Sequence, residues 1–207
     1  MALKDNALIT LQELKDHIGI HNSVSADAKL EGIINASSAM IASHTKRVLT
    51  TASYEQIFDG AGANKVILHQ WPVTSIIAVY VDGDSVFDMN SLIPSDDYRL
   101  EKDIMVSYIT RVFPRGYSNI RVDYTAGYGT VSPAETGDIP SDLKWACSEL
   151  ASWFYNSTSN RRIGVVSKGK LGESVSYEQR LPQHVELLLE PYVRHEFAHA
   201  NVQIKNV

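Results

Sequence analysis

The chain has 207 residues, 44% of them apolar, and 24 acids against 19 bases leave a formal charge of −5. This suffices for one generous domain or two small ones sharing a core, and it excludes a disordered or collagen-like chain. A single cysteine, Cys147, excludes an internal disulfide framework and a zinc ribbon and fits synthesis in a reducing cytosol. The acid excess argues against gripping DNA by bulk phosphate neutralisation. The apolar runs are far too short for a membrane span, and Met1 to Thr10 shows no signal-peptide core, so neither membrane association nor export is expected.

Thr10-Leu11-Gln12-Glu13 reads as a capping box, after which Leu11, Leu14 and Ile18 share a helical face until Gly19 stops the helix. Asp27 opens a longer helix. Leu30, Ile33, Ile34, Ser37, Ile41, His44 and Val48 keep helical spacing there, with Lys29, Glu31, Ser38 and Ser43 opposite. From Ala52 the period turns strand-like: Tyr54 to Phe58, a turn from Asp59 to Gly62, Lys65 to Leu68, then the β-branched run Ile76 to Val81. Asp82-Gly83 follows as a hairpin signal. Further short strands are expected around Val86, Tyr98 to Leu100, Met105 to Ile109 and Ile120 to Tyr124, making a small antiparallel sheet or sandwich over about 52–128.

Val131 to Ile139 reads as a linker. Pro140 and Ser141 start a helix that buries Leu143, Ala146, Cys147, Leu150, Ala151 and Phe154 and breaks at Asn156 to Asn160. Ile163 to Tyr177 reads as an extended loop or hairpin. Pro182 starts the last helix, with Val185, Leu188, Leu189 and Tyr192 apolar, and Pro191 predicts an end or kink near Glu190. Beyond Arg194 there is no packing pattern. Because each helix is too short to fold alone, the expected fold is α+β: a helical bundle built from both chain ends with an inserted small antiparallel β module. The boundaries are 1–50 for the first helical part, 51–130 for the β module, 131–194 for the second helical part and 195–207 for a C-terminal tail.

One catalytic motif is present. His195-Glu196-Phe197-Ala198-His199 matches H-E-x-x-H, which on a helix offers two imidazoles to zinc and a glutamate base. No His, Asp, Glu or Cys follows to supply a third ligand, and Lys205 stands where an extended motif needs histidine. A zinc-dependent hydrolase is therefore the alternative reading, and no cofactor or metal is expected. Gly60-Ala61-Gly62 and Lys168-Gly169-Lys170 lack phosphate-loop spacing, and Cys147 sits at an apolar helix position, as a structural thiol does. A carbohydrate-binding role for the β module, near Trp71 and Tyr80, has nothing beyond the aromatics behind it. Arg161, Arg162, Lys168 and Lys170 form a basic loop that would face DNA or an acidic partner. Trp145, Trp153, Phe154 and Tyr155 recur around one helix and cannot all face one core. This points to an interface of Ile34, Ile41, Trp145, Trp153 and Tyr155, joined by Phe197, Val202 and Ile204 of the tail.

The order of pieces resembles the head–tail connector, or head-completion adaptor, family of tailed bacteriophages. The pieces are Leu8 to Lys15, Ile34 to Ser38 with Lys46-Arg47, Phe58-Asp59-Gly60, Pro72-Val73 with Ser75-Ile76, Val122 and Tyr124 with Ala126-Gly127-Tyr128, and Pro140, Asp142, Leu143 and Ala146. The resemblance covers about residues 8 to 193, and the β insertion likens the chain to long members of the family. It implies a non-enzymatic virion part made in the host cytoplasm, a homo-oligomeric ring, typically of twelve, beneath the portal protein. Such a ring extends the channel through which double-stranded DNA passes and meets a downstream neck, stopper or tail protein. A ring needs a heterologous interface. Twelve copies would carry about −60, which discourages phosphate from sticking in transit. The tail would order on the portal.

Overall fold

The computed structural model describes residues 2–21, 24–131, 136–159, 165–168, 175–177, 181–194 and 204–206. The chain is α+β and divides into two compact units. The first comprises Met1–Thr50 and Gly129–Arg194, and the second Thr51–Tyr128 with the C-terminal stretch His195–Val207.

In the first unit, helix α1 (Leu11–Ile18) opens on the expected capping box, with Thr10 accepting from the Glu13 amide and the Glu13 carboxylate accepting from the Thr10 amide at 2.7 Å. Gly19 closes α1 in the left-handed conformation at φ 73°. Helix α2 (Asp27–Thr45) buries Leu30, Ile34 and Ile41, and also the small polar residues Ser37 and Ser38. The expected polar placement of Ser38 is corrected: its hydroxyl accepts from the Leu8 amide at 3.1 Å and lies 3.6 Å from the Cys147 sulfur, so the inward face is wider than the apolar stripe. Asn35 ties the N-terminal segment to α2 by accepting from the Lys4 amide and donating to the Ala2 carbonyl.

One short pair, β7 (Gly129–Thr130) with β8 (Thr136–Gly137), brackets the start of the segment expected to be a plain linker. Helix α3 (Ser141–Ser159) buries Leu143, Ala146, Cys147, Leu150 and Ala151 completely. It runs through Asn156 to Ser159 rather than breaking there, and the Thr158 hydroxyl donates to the Phe154 carbonyl one turn back. Strands β9 (Val165–Lys168) and β10 (Val175–Tyr177) then pair antiparallel.

Helix α4 (Gln183–Leu189) passes into a 3₁₀ turn, Glu190–Tyr192, with Pro191 inside it. Helix α3 packs on α1, α2 and α4. Each apolar side chain it buries contributes about 1.5–3 kcal/mol, which holds elements too short to persist alone. The far end of α2 is locked to the segment after α4: the Arg194 amide donates to the Thr45 carbonyl at 2.9 Å, and the buried Arg47 guanidinium reaches the Tyr192 carbonyl.

The second unit holds two antiparallel sheets. The larger orders β11 (Ile204–Asn206), β1 (Ala52–Gly60), β6 (Gly116–Ala126) and β3 (Val73–Val81). Its register sets Ala52 opposite Ala126 and Phe58 opposite Ile120, and β6 alternates inward Ile120, Val122 and Tyr124 with outward Arg121 and Asp123. The smaller sheet orders β2 (Lys65–Ile67), β5 (Met105–Tyr108) and β4 (Tyr98–Glu101).

Three expectations change. Asp82-Gly83 does not make a tight hairpin: Asp82 gathers the amides of Asp84, Val86 and Phe87 into a loop, and the chain returns to the open edge of β3 only at Leu92, in a single bridge opposite Tyr80. Val86 lies on a loop rather than a strand, 71% exposed. The end of the chain is not without a place, because Ile204–Asn206 lies antiparallel on β1, with Tyr54 opposite Asn206 and Gln56 opposite Ile204. A three-residue strand carries too little pattern for periodicity to register.

Candidate interaction surfaces

Interior polar groups of the second unit act structurally. The Tyr124 hydroxyl donates to Gln56 Oε1 at 2.8 Å and accepts from the Gln70 amide, and the same Gln56 oxygen accepts from the His69 amide. At the end of the larger sheet Gly60 comes so close to the chain that an added Cβ would stand 1.8 Å from the Pro114 carbonyl oxygen. Its amide donates to Asn119 Oδ1, whose own amide donates to the Pro114 carbonyl.

The loop after β3 is shaped by one carboxylate. Asp82 accepts from the amides of Asp84, Val86 and Phe87, and these bonds hold its pKa below the ordinary aspartate value. Ser85 and Phe87 sit at φ 58° and 53°, a left-handed backbone that L side chains adopt at a cost. The Ser85 hydroxyl donates to the Ser118 carbonyl, and the Arg121 guanidinium stacks over Tyr80 at 4.5 Å and faces Phe87 at 5.8 Å. Arg121 is itself gripped by both Asp123 oxygens, which raises its pKa. The fixed loop presents Val86 and Met89 to solvent, 71% and 81% exposed. After β5, the segment 109–117 is pinned by buried Phe113, whose amide donates to the Ala63 carbonyl, and it exposes Ile109, Val112 and Tyr117. On the smaller sheet Glu101 takes ion pairs from Lys65 and Arg99 at 2.6 and 2.7 Å, and their hydrogen bonds bring its pKa down to about 2.

The first unit carries a different exposed strip. Trp145 is 54% exposed, with the His17 ring edge-on at 5.1 Å. One turn on, Glu149 lies 3.6 Å from His17 and 3.5 Å from His184, and Leu187, one turn along α4, is 63% exposed. Nearby, Lys144 pairs with Glu13 at 2.9 Å. Burial raises the Glu13 pKa, but the bonds from Lys144 and Thr10 outweigh it and hold the carboxyl below its ordinary value.

The residues expected at an interface divide. Ile34 and Ile41 are fully buried within the first unit, so that expectation is corrected: their stripe is spent on the core that α2 makes with α3. Trp145 is the exposed one; Trp153 and Tyr155 are half-buried, Trp153 against Phe154 and Tyr155 under the Lys29 ammonium at 5.1 Å. Phe197 and Val202, the basic residues Arg161, Arg162 and Lys170, and the His195, Glu196 and His199 motif lie outside the described residues. Ile204 lies on β11 and Lys168 on β9, as backbone positions.

Among the described residues no group of three His, Cys, Asp or Glu is placed to hold a metal, and no helix is long and apolar enough to cross a membrane. Cys147 is fully buried, and desolvation pushes its thiol up to about 12. Periodicity does not single out the exposed side chains of Val86, Met89, Ile109, Val112 and Leu187. For Val86 and Met89 the signal available was the run of aspartates from Asp82 to Asp97 punctuated by apolar residues and free of any base.

The profile of the head completion protein family matches residues 7–195. The chain belongs to that family. As a head completion protein it is a virion component with a head–tail adaptor role, as the order of its sequence pieces implies. Solved structures share the fold, among them three from gene transfer agent particles. The chain is similar to a chain in the virion of a native gene transfer agent particle, with TM-score 0.61, 19% identity, and 96% of each chain covered. It is similar to one in the neck of an empty gene transfer agent particle computed with C6 symmetry (TM-score 0.60, 19% identity, covering 96% of this chain and 99% of that one). It is also similar to one in the neck of a native particle computed with C12 symmetry (0.58, 20%, and 96% and 99%). No curated protein matches the chain.

Proposed function

We propose that this head completion protein assembles as a twelve-fold ring beneath the portal, extends the DNA channel and offers its far side to a downstream neck, stopper or tail protein. In this reading the helices from both chain ends serve as one bundle and carry the β unit as an inserted module, and the role is architectural rather than enzymatic. The observation that carries it is the family match over residues 7–195, supported by likeness along nearly the whole chain to neck structures solved with C6 and C12 symmetry.

The surfaces support it too. A ring needs two different faces per copy, and large apolar side chains stand exposed in both units, at Trp145 and Leu187 in one and at Val86 and Met89 in the other. The net acidity of each copy keeps a channel of twelve from retaining passing DNA.

Mass measurement in solution, with and without purified portal protein, tests this. A species of about twelve copies, free or on the portal, is the expected result. A lone chain that never associates with itself or with the portal would sink the proposal.

A further inference from the structure

Two segments of the second unit are complementary in charge. Residues 82–97 hold five aspartates and no basic residue, whereas residues 109–117 hold Arg111 and Arg115 and no acid. Both combine their charge with exposed apolar side chains: Val86, Met89 and Leu92 are 71%, 81% and 39% exposed, and Ile109, Val112 and Tyr117 are 53%, 56% and 73% exposed.

Asp82 and Asp88 accept local hydrogen bonds that shape the loop, but the charges lack partners of opposite sign: among the described residues no ion pair engages Asp84, Asp88, Asp96, Arg111 or Arg115. The segments lie beside each other, linked where the Ile109 amide donates to the Asp97 carbonyl at 2.8 Å, so backbone bonding rather than their side chains joins them. Apolar surface rimmed by charge of one sign marks an association site, and its partner should show apolar surface rimmed by the other. This chain supplies both halves.

We propose that neighbouring copies pair through the second unit, the aspartate-rich segment 82–97 of one seating on the arginine-bearing segment 109–117 of the next. The pairing deepens the ring reading above and rests on it. Two adjacent complementary segments can also pair reciprocally in a closed dimer, so the head-to-tail repeat rests on the ring reading, and assembly that stops at two copies would overturn it. Nucleic acid is the poorer occupant, since the aspartates beside the arginines repel phosphate.

Charge exchange between two full-length variants tests it. One carries Asp84→Arg with Asp96→Arg, the other Arg111→Asp with Arg115→Asp. All four positions are exposed, so both should melt within a few degrees of the wild-type chain. Each variant alone should self-associate about tenfold or more weakly at low salt, with the deficit shrinking as salt rises. An equimolar mixture should recover part of the assembly, because at the four exchanged positions every contact between unlike copies again sets arginine against aspartate, while Asp82, Asp88 and Asp97 stay unexchanged. If each variant assembles as well as wild type, the pairing is overturned while the ring reading stands. If both fail and the mixture does not recover, the two segments do not meet and the pairing is likewise overturned. Should the wild-type chain fail to assemble with and without portal, the ring reading falls and the pairing with it.

Discussion

The Tyr192 hydroxyl donates to the Asp142 carboxylate, 2.7 Å from both oxygens, and so joins the turn after α4 to the first turn of α3. A hydrogen bond to a charged acceptor contributes more than a neutral one. Tyr192→Phe should therefore lower stability by about 1–2 kcal/mol, discounted for partial exposure. Chemical denaturation reads this directly; an unshifted midpoint would mean the tie carries no weight.

Gly60 has no room for a methyl group, because the neighbouring atom is backbone and cannot swing aside. Gly60→Ala should destabilise by about 2 kcal/mol or more. Gly83, with nothing within 4 Å of an added Cβ, is the control and should tolerate alanine. Equal thermal melting of the two variants would contradict the close approach.

Removing the Tyr124 hydroxyl leaves the buried Gln56 oxygen without its strongest donor and the buried Gln70 amide without its acceptor. Tyr124→Phe should cost about 1–3 kcal/mol. Urea unfolding followed by tryptophan fluorescence would show it, and a neutral substitution would dissolve the network argument.

The depressed pKa of Asp82 makes a signed prediction. A carboxyl whose folded pKa lies below its unfolded value stabilises the fold above the ordinary aspartate range, and that contribution is lost as pH falls through the depressed folded value. Amide resonances of Asp84, Val86 and Phe87 should therefore hold their positions through the ordinary value of 3.8 and move only below it. A midpoint at 3.8 or higher would contradict the three-amide clasp.

Cys147, fully buried with its thiol pushed up to about 12, should resist a disulfide reagent at pH 8 in the native protein and react at once in denaturant. Prompt native labelling would show that the α3 core opens.

Local chemistry made much of this fold readable from sequence. The capping box at Thr10, the glycine stop at Gly19 and the proline near Glu190 act within one or two turns, and each stands where the residues predict. What escaped was decided by partners distant in sequence. Ser38 looks polar until Leu8 and Cys147 close over it; Ile34 and Ile41 look available until α3 covers them. The exposed apolar residues on the 82–97 loop were hidden for a related reason. Val86 and Phe87 read as strand by composition, and only the amides gathered by Asp82 turn that stretch into a loop.

The placement of Ala52 opposite Ala126 has a further consequence. The polypeptide first enters the β unit and leaves it along two neighbouring strands, so these two junctions lie about 5 Å apart, one strand spacing, and β11 joins the same sheet later in the chain. A loop of a few residues could bridge that gap. Insertions and deletions in such proteins should therefore concentrate in the loops between these strands, while β1 is held by its pairing with β11.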